Sequence, residues 1–63
     1  MAIHLNSARI NARLTQDEAS KKLGISRNTL ASYEAYRTKP DIEMGKKIAK
    51  LYGLTVDDII WSE

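Results

Sequence analysis

Residues 26–35, SRNTLASYEA, place Arg27 and Asn28 at the start of a predicted helix. The same outward side continues with Ala31, Ser32 and Ala35, while Leu30 and Tyr33 on the other side can face a core. An ordinary solvated face favours long Glu, Lys and Gln side chains. Here two hydrogen-bonding side chains are followed by small ones, which leaves room for something to come close. The chemistry this arrangement supports is recognition by close contact.

Catalysis finds little support. There is no cysteine, which excludes disulfides and thiolate metal sites, and the single histidine, His4, cannot assemble a metal site alone. No nucleophile, base and orienting group fall at a spacing that would join them. The three glycines are scattered at 24, 45 and 53, so no glycine-rich phosphate loop exists. The reading is therefore not an enzyme, with no cofactor and no small-molecule ligand. No stretch approaches the roughly 20 apolar residues of a membrane span. The start, MAIHLNSARINAR, lacks the apolar run of a signal peptide. The expected setting is cytoplasmic.

The net charge is only +2, but its distribution is uneven. Residues 1–53 hold all ten Lys and Arg against five acids, and residues 54–63 hold three acids and no base. A basic body with an acidic end fits either a polyanion-binding surface or a normally solvated one.

The elements that must position these residues are helical. A chain of 63 residues makes one domain, here 1–63. Five helices are predicted and no strand, because period-two alternation never persists. The first spans about Ile3 to Arg13, with Leu5, Ala8 and either Ile10 or Ala12 inward. The second, about 15–23, opens on the capping box TQDE and ends at Gly24. Only Ile25 separates Gly24 from Ser26, an N-cap for the third helix at about 26–35. So short a turn sends the two helices off at a steep angle, a helix-turn-helix. The fourth starts near Pro40-Asp41 and presents Ile42, Ile48, Ala49 and Tyr52 inward. Its Gly45 marks a predicted close approach by another helix. Gly53 ends it, and Thr55 caps a last short helix through the sequence TVDD.

The segments LTQDEASKKLGIS and RNTLASYE, then Arg37, Pro40, KIAKLYG and VDDI, follow one another in a known order and spacing. In them the chain resembles the Cro and repressor-type helix-turn-helix family of phages and bacteria, the XRE family, over nearly its whole length. The resemblance implies an all-α, compact five-helix bundle of the lambda-repressor-like type. It also implies a DNA-binding transcriptional regulator whose third helix enters the major groove, about 12 Å wide. Arg27 and Asn28 then supply reach, and Ala31, Ser32 and Ala35 supply clearance.

By that resemblance the base-contacting candidates are Arg27, Asn28, Ala31 and Ser32. Arg27 can fork onto guanine O6 and N7, or else bind phosphate. Asn28 can pair with adenine N6 and N7, or cap its own helix. Ala31 can touch a thymine methyl. The phosphate-contacting candidates are Arg13, Gln16, Ser26, Tyr36, Arg37 and Lys39. Gln16 either bonds phosphate or steadies the recognition helix, and Ser26 either caps or bonds phosphate. Lys46, Lys47 and Lys50 read as a solvated face. Arg9 and Glu34 match an ion pair that joins the first helix to the end of the third.

Three places depart from the family pattern. Ala35-Tyr36 stands where many members have Asn-Gly, so either the third helix runs on by a turn or its exit differs. Arg13 replaces a frequent glycine. Ala19 replaces a larger aliphatic residue, so packing there is expected to be either looser or filled by a neighbour. A homodimer on a near-palindromic operator is expected, with Val56, Ile59, Ile60 and Trp61 as interface candidates. Of these, Val56 and Ile59 are also candidates to close the core. The competing reading is a protein-interaction module, antitoxin-like or adaptor, on the same fold.

Overall fold

The computed structural model describes every residue, Met1–Glu63. In chain order the elements are β1 (Ile3–His4), α1 (Leu5–Asn11), α2 (Gln16–Leu23), α3 (Arg27–Glu34) and α4 (Ile42–Leu51). A single 3-10 turn at Val56–Asp58 and the strand β2 (Ile59–Ile60) follow.

Local chemistry explains where the helices begin. Thr15 Oγ1 accepts the Glu18 N–H at 3.1 Å, and the Glu18 carboxylate accepts the Thr15 N–H at 3.0 Å, which completes the capping box of α2. These bonds to Thr15 hold the Glu18 carboxyl below its usual value of 4.5. Ser26 Oγ accepts from the Thr29 N–H at 3.1 Å, and Asp41 Oδ1 from the Met44 N–H at 2.8 Å.

The four helices share one kind of ending. Each closes on a left-handed residue, with the following N–H reaching back five residues along the chain in a Schellman motif. Leu14 N–H bonds Arg9 O, Ile25 N–H bonds Ser20 O, Arg37 N–H bonds Ser32 O and Leu54 N–H bonds Ala49 O. Two of the left-handed positions are glycines, Gly24 and Gly53. The other two are Arg13 at φ 62° and Tyr36 at φ 60°. A β-carbon in that region costs about 1–2 kcal/mol. The missing glycine after Glu34 therefore neither extends α3 nor alters its exit; Tyr36 takes up the strained conformation.

The core is built from Leu5 and Ala8 of α1, Ala19 and Leu23 of α2, Leu30 of α3, and Ile48 and Ala49 of α4, together with Tyr52 and Ile59. Leu5, Leu30 and Ile48 are its largest fully buried side chains. Burying each is worth about 1.5–3 kcal/mol. Ala12 packs against this cluster, whereas Ile10 is 59% exposed.

Several expectations are corrected. There are four α-helices, not five, because the segment after Thr55 makes only one 3-10 turn. Asp58 Oδ2 accepts from both the N–H and the hydroxyl of Thr55 (2.9 and 3.0 Å), which nucleates that turn. The β-branched Ile59 and Ile60 then extend and pair in parallel with Ile3 and His4. That pairing also pulls Ile3 and His4 out of the first helix, which starts at Leu5. A two-residue strand is too short to leave a period in the sequence. Ala19 is fully buried, so neighbouring side chains cover its position. Ile42 is 76% exposed and Val56 39% exposed, so neither belongs to the core. Gly45 is approached by no helix; a β-carbon there would meet the Trp61 ring at 3.9 Å. Lys47 is more than a solvated charge, since its Nζ donates to Leu23 O at 3.0 Å across the end of α2. No helix is long and apolar enough to cross a membrane.

Candidate nucleic-acid interface

The helix α3 is held at both ends. Gly24 and Ile25 turn the chain between α2 and α3, and Leu30 anchors α3 in the core. At its far end, Glu34 is gripped by two other helices. Arg9 Nε donates to Glu34 Oε2 at 2.7 Å and Nη2 to Oε1 at 3.3 Å. Gln16 Nε2 donates to the same Oε1 at 3.0 Å. Arg9 Nη1 closes the set on Leu14 O at 2.9 Å. The two side chains are only 14% and 7% exposed, and their hydrogen bonds offset the cost of burying the charges. The structure thus brings Arg9 and Glu34 together and gives Gln16 the steadying part of its two alternatives.

Beside this bracket lies Tyr52, at the end of α4. Its hydroxyl is buried and finds no protein partner. Burial, reinforced by the nearby Glu34 charge, pushes its ionisation up to about 12.

The opposite, outward side of α3 carries the predicted contact residues. Arg27 and Asn28 are exposed, and Ala31 and Ser32 are half-buried behind them. The N-terminal cap of α3 is made by Ser26, not Asn28, which leaves the Asn28 amide for an external partner. Ser26 Oγ is also 2.8 Å from Thr29 Oγ1, so its capping alternative is occupied twice. Arg13, Arg37 and Lys39 are exposed. Tyr36 points elsewhere. Its hydroxyl donates to Ile60 O at 3.1 Å and lies 2.9 Å from His4 Nδ1 and 3.5 Å from the Leu5 N–H. That hydroxyl ties the exit of α3 to both strands, and no donor is left over for phosphate.

Two features escaped sequence reasoning. Asp17, the second residue of α2, faces Arg27 across 3.8 Å. A groove of about 320 Å³ runs between the start of α4 and the chain end, floored by Ile42, Gly45, Val56 and Trp61 and rimmed by Lys39 and Lys46. The Trp61 indole N–H donates to Val56 O at 2.9 Å, which fixes the ring along that floor. Ile42 shares the helical stripe of Ile48, Ala49 and Tyr52 but lies one turn beyond the core, where it is exposed. Of the four interface candidates, Ile59 is buried in the core, Ile60 and Trp61 are half-buried, and Val56 is exposed. No group of three or more His, Cys, Asp or Glu side chains converges to hold a metal ion.

A family model described as helix-turn-helix matches residues 5–59. The chain belongs to the helix-turn-helix family. This match takes in all four α-helices and stops at Ile59. Within the family the chain is 41% identical over 46 residues to an uncharacterised HTH-type transcriptional regulator of Methanocaldococcus jannaschii, covering 73% of this chain and 70% of that one. It is 38% identical over 56 residues to the HTH-type transcriptional regulator ImmR of Bacillus subtilis, covering 89% of this chain and 44% of that one. It is 29% identical over 56 residues to the cryptic phage CTXphi transcriptional repressor RstR of Vibrio cholerae, covering 89% of this chain and 50% of that one. The chain therefore spans half or less of the length of those last two relatives. No solved structure matches it significantly. These relatives are named as regulators of transcription, not as enzymes.

Proposed function

We propose that this chain is a sequence-specific double-stranded DNA-binding transcriptional regulator of the Cro-like or phage-repressor type. The observation that carries the reading is the outward face of α3. Arg27 and Asn28 are exposed at its N-terminal end, small residues follow, and the Arg9–Glu34–Gln16 bracket fixes the helix from behind. A recognition helix in the major groove presents its N-terminal residues to base edges. The relatives named as transcriptional regulators support the same role. In this proposal Arg27 forks onto guanine, Asn28 pairs with adenine, and Ala31 and Ser32 lie against the groove floor. Arg13, Arg37 and Lys39 take phosphates and set register, which carries no sequence choice. Gln16 and Tyr36 act within the protein, and Ser26 acts as a cap.

The apolar groove supports a homodimer in which a second copy covers Ile42, Val56 and Trp61. Its lining includes Lys39 and Asp41, in the segment that follows α3. A protomer of 27 × 23 × 19 Å suits the spacing of about 34–36 Å between half-sites.

The test is selection from a random duplex-DNA pool at near-physiological salt. An enriched near-palindrome is the expected result. A single enriched half-site would retain DNA recognition and remove the dimer. Absence of any enriched sequence would overturn the reading in favour of a protein partner.

A further inference from the structure

Arg27 is the first residue of α3 and Asp17 the second of α2, and the turn between these helices brings the two side chains to one edge. Arg27 Nε and Asp17 Oδ1 are 3.8 Å apart, with both side chains 64% exposed. A pair this open to solvent adds little to stability. Its geometry has another consequence. The nearest approach of the carboxylate is to Nε, and neither Nη group donates a hydrogen bond within the protein. Neighbouring acids do not compete for this place: Glu18 is engaged by Thr15, and α3 has no acid in its own first turn.

We infer that Asp17 is a positioning residue for base recognition, which holds the Arg27 fork toward a guanine edge and away from the phosphates. The inference deepens the DNA-binding role proposed above and rests on it. Two effects act together. Holding Nε restricts the long Arg side chain before binding, so less freedom is lost when the two Nη groups bond O6 and N7. The carboxylate also places a negative charge at the edge of the contact face, where it is repelled by phosphates on any sequence. Asp17 thereby trades sequence-independent affinity for discrimination at one base pair in each half-site.

Competition binding against single-base-pair variants of the selected site tests this, with wild type, Asp17→Asn, Arg27→Ala and the double variant compared at one salt concentration. Arg27→Ala identifies the base pair that Arg27 reads. Asp17→Asn is expected to lower discrimination at that pair by about three- to tenfold and to raise affinity for random duplex several-fold. In the Arg27→Ala background the same change should leave base preference untouched, which a merely structural role for Asp17 would not produce. Full discrimination by folded Asp17→Asn overturns the inference while leaving the DNA reading intact. An equal loss of preference with and without Arg27 overturns it as well. If wild type discriminates no sequence at all, the underlying DNA reading has failed, and the inference fails with it.

Discussion

Two residues store unfavourable interactions that can be measured singly. Tyr52 buries a hydroxyl without a protein partner, and its ionisation is pushed up to about 12 by burial, with Glu34 adding to the effect. An unfolded tyrosine ionises near 10, so the folded state holds its proton where the unfolded state has lost it. The stability tied to this proton is complete below pH 10 and falls as pH rises from about 10 to 12. Tyr52→Phe should abolish that part of the alkaline loss and change stability at pH 7 by less than about 1 kcal/mol, measured by urea unfolding at several pH values. Arg13 sits at φ 62° with no bond that requires its side chain. Arg13→Gly should therefore stabilise by about 0.5–1 kcal/mol, since relief of the left-handed strain exceeds the added freedom of the unfolded chain. Thermal unfolding reads this as a rise of about 4–8 °C per kcal/mol. The same variant should bind DNA more weakly if Arg13 contacts phosphate. Tyr36 shares the strain but repays it through three contacts, so a glycine there would forfeit more than it relieves.

Among the elements, α3 depends most on its neighbours. It buries only Leu30 fully and has no charge of its own that favours its C-terminal end. Its orientation comes from Arg9 on α1 and Gln16 on α2, which converge on Glu34. Glu34→Ala strands a nearly buried Arg9 and should cost about 3–5 kcal/mol, much of the stability of a domain this small. Chemical denaturation reads it directly, and a negligible shift in midpoint would remove the bracket from the account. Helix α4 makes the opposite case. It carries Gly45 in its interior without needing a glycine, because the nearest foreign atom to a β-carbon is the Trp61 ring at an ordinary 3.9 Å. Gly45→Ala should add up to about 1 kcal/mol through helix propensity.

At the scale of the whole molecule, the chain ends are joined. The β1–β2 pair and the Tyr36 hydroxyl connect residues 3–5, 36 and 59–60 into one clasp behind α3. The clasp joins the exit of α3 to both ends of the chain. If Arg13, Arg37 and Lys39 contact phosphates as proposed, counterions are released and binding should weaken steeply with salt. Arg37→Ala should weaken binding about equally on all sequences and reduce the slope of log K against log salt by about 1. Fluorescence anisotropy at a series of salt concentrations measures both quantities.

Caps and turns made much of this fold legible without coordinates. The Thr15–Glu18 box, Gly24, Ser26 and Asp41 place the ends of α2 and the starts of α3 and α4, because each acts on backbone groups within a few residues of itself. The small outward face of α3 was legible for the same reason: helical period alone decides which residues share a side. Contacts between distant segments were not. The strands exist only because residues 3–4 and 59–60 meet, and neither segment shows a strand pattern by itself. Tyr36 could have faced DNA until its hydroxyl was seen bonded to Ile60. Asp17 became a partner of Arg27 only through the angle between α2 and α3. The sequence by itself determined α2, α3 and α4, the caps that start them and which residues share the outward side of α3. Tertiary structure alone decided which side chains are free to use that face, because a donor already bonded within the protein is no longer available to a ligand.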